Sequence, residues 1–397
     1  MSKHILLAVS GGIAAYKSCE LVRLLKKQGH TITVALSQAA SEFVGAQTFQ
    51  ALSGNPVLME QGGHGNGMAH INATRAADIM LIAPATANTI AKIAHGIADN
   101  LITEMAAART CPLVLAPAMN VAMWRNPANQ RNIAQLQTDG IHIFMPHYGE
   151  QACGELGEGR MQEAADIAEL LPEILSPKPL HGKKILLTAG ATYEAIDPVR
   201  GITNISSGKM GTALARACRR AGAEVFLIYG KLQTALPIGL AYSEHTISAR
   251  QMHAAVFKQL ETHKIDAFIA VAAVADYHVK NSAAHKIKKD NSKQAPIIEL
   301  AENPDILRDV AALPNAPFCV GFAAESENLL EFARQKHQKK GIPLLVANDV
   351  SVAMGNDVNQ IILLDKEKET MLPESNKDQI ADAIVARMNH LMLRNID

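Results

Sequence analysis

The stretch His4–Ser37, HILLAVSGGIAAYKSCELVRLLKKQGHTITVALS, decides the fold. "HILLAVS" (4–10) is a continuous apolar run, the pattern of a strand covered on both faces. "AAYKSCELVRLLKKQG" follows it. Ala14, Ser18, Leu21, Val22 and Leu25 recur there at helical spacing, and Gly29 is the stop. "TITVALS" (31–37) is a second apolar strand. Strand, helix, strand with both strands buried is a parallel βαβ unit.

The pattern continues outward. "DIMLIAPA" (78–85), "PLVLAPA" (112–118) and "IHIFMP" (141–146) are apolar runs that meet proline at their ends. Strands of this kind separated by helical stretches predict an α/β fold with a doubly wound parallel sheet. Ligands of such sheets sit beyond the carboxyl ends of the strands. The polar interruptions fall there: Ser10-Gly11-Gly12, Ser37, "PATANT" (84–89) and "PAMN" (117–120). "PAMN" belongs to "APAMNVAMW" (116–124), which holds the only tryptophan and an amide between two methionines.

"LPEILSPKPLHGKK" (171–184), rich in proline, reads as a linker. Beyond it the pattern restarts, and "KKILLTAG" (183–190) echoes "KHILLAVSGG" (3–12). A helix is expected to start near Lys209, followed by the strand "AEVFLIYG". "DAFIAVAAVADY", "PFCVGFAAE" and "PLLVAND" read as buried strands, "NQIILLDK" as a late edge strand and "DQIADAIVARMNHLM" as the closing helix. The expected organisation is two α/β domains, 1–178 and 179–397.

Bulk composition excludes several classes. The chain has 397 residues, with 38 basic against 38 acidic side chains, so no global field attracts nucleic acid or an acidic membrane. No apolar run approaches the ~20 residues that span a bilayer. "MSKHILLAVSGG" lacks the cleavage site of a secretory leader. A cytoplasmic protein is expected. Of the cysteines, Cys19, Cys111, Cys218 and Cys319 sit in apolar patterns as small hydrophobes. Cys153 lies in "QACGELGEGRM", a glycine-rich charged stretch expected to be loop.

Each local motif has a plain reading beside the functional one. "SGGIAA" lacks the last glycine of a dinucleotide fingerprint, yet Ser-Gly-Gly before a helix can hold a phosphate or form a tight turn. "GITNISSGKMG" (201–211) is not a phosphate loop: Met210 stands where Ser or Thr would meet magnesium. Asn204, Ser206 and Ser207 there can cap the following helix. Lys286, Lys288 and Lys289 are either a solvated face or, with Asp276 opposite, cations for a triphosphate and its Mg2+. The basic helix end "RQKHQKKG" (334–341) suits the helix dipole. "GGHGNGMAH" (62–70) offers His64 and His70 but no evident third metal ligand.

Taken in order, these motifs resemble one family across essentially the whole chain. "SGGIAAYK", "MAHINATRAADIMLIAPATANTIAKIAHGIADNL", "PAMNVAMW" and "QACGELGEGRM" resemble phosphopantothenoylcysteine decarboxylase. "DPVRGITNISSGKMG", "AAVADY", "KIKK", "NPDIL", "VGFAAE" and "VANDV" resemble phosphopantothenate–cysteine ligase. The two are fused in the bifunctional flavoprotein of coenzyme A biosynthesis. The resemblance implies a flavodoxin- or Rossmann-like FMN domain and a Rossmann-like nucleotide-binding ligase domain.

For the first domain it implies FMN held at Ser10, Gly11, Gly12, Ile13, Ser37, Thr86, Asn88 and Thr89. The implied substrate is 4′-phosphopantothenoylcysteine, whose thiol is oxidised before carbon dioxide leaves; reduction of the ene-thiol then gives 4′-phosphopantetheine. His70 matches a base near the thiol, Asn120 the holder of the substrate carboxylate and amide, Met123 a wall, and Cys153 the final proton donor.

For the second domain it implies activation of 4′-phosphopantothenate by CTP and Mg2+ as an acyl-cytidylate, followed by attack of L-cysteine. Asp276, Lys286, Asn303, Pro304, Asp305, Ile306, Phe322, Lys336 and Lys340 match nucleotide contacts. Asn204 matches a residue for turnover of the acyl-cytidylate and Arg200 a substrate anchor; the magnesium ligands are not assigned. Decarboxylase trimers and ligase dimers assembling into a dodecamer are also implied, with sites at subunit interfaces. The chain departs from the family at Gly201, where a large residue is usual, and at "SVAMGNDVNQ" (351–360), which is short. The rival readings are a two-domain NAD-dependent dehydrogenase, against which the missing fingerprint counts, and a phosphatase-regulating relative without catalysis.

Overall fold

The computed structural model describes residues 2–60, 68–288, 295–325, 329–349 and 358–394. His64, Lys289 and the stretch 351–357 lie outside the described residues. Contacts divide the chain into two units, Met1–Leu175 and Ser176–Asp397.

The first unit opens with β1 (His4–Val9), α1 (Ala15–Lys27) and β2 (Thr31–Leu36), the βαβ unit expected from the sequence. Then come α2 (Gln38–Ser41), α3 (Ala46–Ser53), β3 (Leu58–Met59) and α4 (Ala69–Ala76). β4 (Ile79–Ala85), α5 (Ala87–Ala94), α6 (Leu101–Ala108), β5 (Leu113–Pro117), α7 (Val121–Arg125), α8 (Pro127–Thr138) and β6 (His142–Ile143) complete the winding. The sheet order is β3-β2-β1-β4-β5-β6, with every pairing parallel.

Continuous apolar strands are needed because both faces are covered. Ile5, Leu7 and Val9 pack with Leu21, Val22 and Leu25 of α1, whereas Leu6 and Ala8 pack with Ile90, Ile102 and Met105 on the other face. Each fully buried side chain of this kind contributes about 1.5–3 kcal/mol relative to exposure.

Two sequence expectations change here. "QACGELGEGRM" is not all loop: β7 (His147–Glu150) and β8 (Leu156–Arg160) form an antiparallel hairpin with Cys153 in its turn. Glycines hide this strand because they supply no alternating side chains. Leu171–Ile174, expected in the linker, close helix α9 (Ala164–Ile174), which carries Pro172 in its last turn.

The second unit repeats the winding. β9 (Lys184–Ala189) leads to a hairpin, β10 (Tyr193–Asp197) and β11 (Arg200–Thr203), then α10 (Lys209–Arg220), β12 (Glu224–Tyr229), β13 (Tyr242–His245), α11 (Ala249–Thr262) and β14 (Ala267–Ala270). A second hairpin, β15 (Tyr277–Val279) and β16 (Leu300–Glu302), precedes α12 (Ile306–Ala311), β17 (Phe318–Glu325), α13 (Leu329–Lys340) and β18 (Leu344–Asp349). β19 (Val358–Asn359), β20 (Ile361–Asp365), β21 (Glu369–Met371), β22 (Ser375–Asn376) and α14 (Lys377–Arg394) follow. The main sheet runs β13-β12-β9-β14-β17-β18-β20-β21. Its first six strands are parallel and in the same winding order as the first unit, which is where the echo between "KHILLAV" and "KKILLTA" resides. β20 joins antiparallel and is not the edge, since β21 covers it.

A buried ion pair closes the second unit. Arg387 of α14 donates to both oxygens of Asp365, at 2.9 and 2.8 Å, and to Glu367 at 2.8 Å. Burial raises the Asp365 pKa, but Arg387 and the backbone N–H groups of Glu367 and Lys368 outweigh it, so the net shift is downward. Arg387→Met strands this carboxylate, and it is expected to cost roughly 3–5 kcal/mol at pH 7, read by thermal unfolding. Because the folded value is depressed, the pair's contribution is complete above the unfolded carboxylate value and fades as pH falls through the folded one. The deficit of the variant should therefore shrink in acid.

Candidate active sites

In each unit the first crossover reverses between β1 and β4, or between β9 and β14. A crevice must open where the chain leaves in opposite directions. In the first unit it is a cavity of about 950 Å³, lined by Ser10, Gly11, Gly12, Ile13, Ser37, Thr86, Asn88, Thr89, Asn120, Met123 and Cys153. One fold feature thus gathers strand ends that lie far apart in sequence.

The cradle end is built from turns and helix starts. Ser10 is buried; its hydroxyl donates to the Pro84 carbonyl at 2.7 Å and accepts from the Thr86 N–H at 3.0 Å. Ser37 caps α2 through the Ala40 N–H, and Thr86 caps α5 through the Thr89 N–H. A Cβ on Gly11 would lie 2.4 Å from Ala39 Cβ and 2.8 Å from its carbonyl carbon, so only glycine lets the first turn approach the second. The starts of α1, α2 and α5 converge there, and their N–H groups favour an anion. Beside it, Lys17 pairs with Glu163 at 2.7 Å and holds that carboxyl below its ordinary value.

The opposite wall is "PAMN" against the hairpin. Asn120 is the N-cap of α7: its Oδ1 accepts from the Ala122 N–H at 2.8 Å, which fixes its Nδ2 toward the hairpin turn. That Nδ2 donates to Cys153 Sγ at 3.3 Å and to the Glu155 carboxylate. Gln151 ties the hairpin to α7, accepting from the Val121 N–H at 3.0 Å and donating to the Glu158 carbonyl at 3.1 Å. Met119 N–H bonds the Gly159 carbonyl at 2.9 Å. Gln151 and Glu155 were not singled out by sequence, because neither residue type stands out in a charged hairpin. Trp124 is core. His70, on α4, is half-buried and is not on the wall of this cavity within one chain.

The second unit holds a cavity of about 920 Å³ that brings together Asn204, Asp276, Asn303, Pro304, Asp305, Ile306, Phe322, Lys336 and Lys340. Thr192 Oγ1 accepts from the Ala275 N–H at 3.0 Å, a buried hydroxyl stitch across the switch point like that of Ser10. Asn204 does not cap α10; its Nδ2 donates to the Val274 carbonyl at 3.2 Å. Ser207 Oγ accepts from the Lys209 N–H at 3.4 Å instead. Asp305 caps α12 and accepts from Lys340 at 3.0 Å on both oxygens. Burial raises its pKa, yet the Arg308 N–H and Lys340 bring the net shift below the ordinary value. Among the described residues no group of three or more His, Cys, Asp or Glu side chains could hold a metal ion.

Arg200 and Lys286 are not on this cavity's wall. Asp197 explains where they are. Its fully buried carboxylate accepts from the N–H groups of Val199, Arg200 and Ile287 and from the Arg200 guanidinium, while Arg200 also donates to the Ile287 carbonyl at 2.7 Å. The Arg200 guanidinium, with those backbone donors, holds the Asp197 carboxyl far below the usual range. Asp197 and Arg200 therefore anchor the backbone between Lys286 and Lys288. Gly201 is also accounted for: a Cβ there would meet the Tyr193 ring at 2.3 Å, so Tyr193 fills the space.

A switch-point crevice in each of two Rossmann-ordered units, with an anion cradle in the first, is the arrangement in which nucleotide cofactors are held. Residues 1–176 match the Flavoprotein family, and residues 180–392 match the DNA/pantothenate metabolism flavoprotein C-terminal domain. Over 397 residues the chain is 44% identical to the coenzyme A biosynthesis bifunctional protein CoaBC of Vibrio cholerae, covering 98% of each. It is 40% identical to that of Escherichia coli over 398 residues, covering 97% of each. A crystal structure of a CoaBC C-terminal domain shares 34% identity, with a TM-score of 0.47, over 55% of this chain and 100% of that one. The chain belongs to the family of coenzyme A biosynthesis bifunctional proteins CoaBC.

Asp197→Asn leaves Arg200 and the Ile287 N–H without their shared carboxylate. The expected result is about a tenfold or greater loss of ligase turnover, roughly 1.4 kcal/mol of barrier, with no change in the first unit's flavin absorbance. An unchanged ligase rate would show that this anchor does not position the lysine segment.

Proposed function

We propose that the chain carries out two consecutive steps of coenzyme A biosynthesis. Residues 179–397 join L-cysteine to 4′-phosphopantothenate with CTP; residues 1–178 then decarboxylate 4′-phosphopantothenoylcysteine to 4′-phosphopantetheine. The observation that carries the reading is the first cavity, where the anion cradle and the Asn120–Cys153 pair face one space.

The cradle fits FMN. Its phosphate suits the helix starts around Ser10, Gly11, Gly12, Ile13, Ser37, Thr86, Asn88 and Thr89, where Gly11 lets the first turn approach Ala39. When bound, FMN supplies the hydride chemistry that neither Asn120 nor Cys153 can. The chain's own residues orient and protonate. Asn120, fixed by its cap bond, presents Nδ2 to the substrate carboxylate. Met123, exposed beside it, is an apolar wall. Cys153 in the exposed hairpin turn gives the last proton and regains one from water. His70 acts as base on the thiol and reaches the cavity from a neighbouring copy, in keeping with trimers. Exposed Ile13, Tyr16 and Met123 at the cavity mouth support such an interface.

In the ligase, a carboxylate is a poor acylating group until one oxygen becomes part of a leaving group. Lys336 and Lys340 offset charge on the nucleotide phosphates, and Lys286 joins them from the anchored segment, completing the site in a dimer. Asn303, Pro304, Asp305 and Ile306 line the nucleotide side, with Phe322 beside them. Asp276 is exposed and Asp305 is paired with Lys340; Mg2+ would enter with the nucleotide and offset the charge of its phosphates. Arg200 acts as substrate anchor through its exposed edge, and Asn204 positions the activated carboxyl for attack. No helix among the described residues is long and apolar enough to cross a membrane, and the cysteines are free; both support a cytoplasmic enzyme.

Incubation with phosphopantothenate, cysteine, Mg2+ and either CTP or ATP, followed by mass spectrometry, tests the whole reading. Phosphopantetheine from CTP alone is expected; none from either nucleotide overturns it. Cys153→Ser should release carbon dioxide yet stall at the oxidised ene-thiol, and a normal phosphopantetheine yield would remove Cys153 from its role. Asn204→Asp should accumulate acyl-cytidylate with little amide, and unaltered amide formation would remove Asn204.

A further inference from the structure

The Asn120 amide is already engaged in the free protein. Its Oδ1 is committed to the Ala122 N–H, so the amide cannot turn over. Its two donor hydrogens go to Cys153 Sγ, at 3.3 Å, and to the Glu155 carboxylate. Both acceptors belong to the same hairpin turn. A substrate carboxylate that docks on Asn120 therefore meets another carboxylate in its place.

We propose that Glu155 is a carboxylate supplied by the hairpin turn itself, which occupies Asn120 until the substrate carboxylate displaces it. The inference rests on the proposed role of Asn120 as holder of that carboxylate. Two carboxylates cannot share one amide edge without repulsion, so binding expels Glu155. Cys153 must move with it. The turn is closed by the Gln151 N–H to the Glu155 carbonyl at 2.8 Å and by the Gly154 N–H to the Gln151 carbonyl at 2.8 Å, so the two side chains ride on one segment. The thiol is thus withdrawn while the substrate carboxylate is present.

Loss of carbon dioxide removes the competitor. Glu155 then returns to Asn120 and brings Cys153 back beside the carbon that has lost its carboxylate. Glu155 is a positioning residue: it touches Asn120 and not the reacting atoms. Its effect is to order the events, decarboxylation before protonation. Gln151, which holds the base of the turn to α7, keeps the hinge of this exchange fixed.

The test uses the full chain with FMN bound and two unreactive probes. One is the substrate with hydrogen in place of the thiol, phosphopantothenoyl-alanine, which keeps the carboxylate. The other is its decarboxylated counterpart, the N-ethylamide. By titration calorimetry, Glu155→Ala should bind the carboxylate probe about 10-fold or more tightly than wild type, the scale of one charge-assisted hydrogen bond. Its affinity for the N-ethylamide should not rise. In turnover, the variant should release a larger share of product as oxidised ene-thiol, and Glu155→Asp should restore the wild-type share. If Glu155→Ala does not fold with its flavin, Glu155→Gln, which keeps the shape and loses the charge, should shift the probes in the same direction. Equal tightening of both probes, or weaker binding of the carboxylate probe, overturns the proposal. Undiminished binding of the carboxylate probe by Asn120→Ala would remove the role of Asn120 itself, a failure distinguishable from that of Glu155.

Discussion

Both units depend on a buried hydroxyl that stitches the switch point of a parallel sheet. In the first, Ser10 spans from the end of β1 to the turn after β4; in the second, Thr192 spans from the turn after β9 to the chain after β14. Parallel strands whose crossovers leave in opposite directions must part at their carboxyl ends. Without a bond across that gap, buried N–H groups at the crevice floor would lack acceptors, at a cost of about 1–3 kcal/mol each. The hydroxyl satisfies them and leaves the space above open. Ser10 and Thr192 are accordingly buried although polar.

This constraint explains why so much was legible. A strand covered on both faces has to be apolar throughout, so "HILLAV", "IMLIAPA" and "KILLTA" announce themselves, and their polar termini mark the cradle. The β7–β8 hairpin was hidden because Gly157 and Gly159 replace side chains that would show alternation. They do so for a steric reason: a Cβ on Gly157 would lie 2.5 Å from Val121 Cγ2, and one on Gly159 would lie 2.3 Å from the Met119 carbonyl oxygen. The close approach of the hairpin to "PAMN" thus erases its own signal.

Asp197 was illegible for a different reason. Its partners include Ile287, separated from it by 90 positions. Nothing local distinguishes it from any other acidic turn residue, since Val199 and Arg200 alone would make an ordinary Asx turn. Arg200 was legible as important, but its partner is a carboxylate of the same hairpin. Tyr193 and Gly201 form one packing solution whose halves meet diagonally across β10 and β11, so the missing large residue is understood only when the ring beside it is seen.

The two units share a division between scaffold and delivery. Strand ends and hydroxyl stitches shape the crevices, whereas Cys153 and Lys286 sit on segments that a carboxylate helps to tie to the scaffold. Glu155 ties the turn bearing Cys153 to Asn120, and Asp197 ties the segment bearing Lys286 to Arg200. The two ties differ in permanence. Asp197 is wholly buried with backbone donors and a guanidinium around it, so no incoming anion can compete for its partners without breaking the hairpin. Glu155 is exposed and shares one amide edge, so a second carboxylate can take its place. That contrast suits the roles proposed for the two sites: phosphates need cations already in position, whereas a proton delivered before carbon dioxide has left would be wasted.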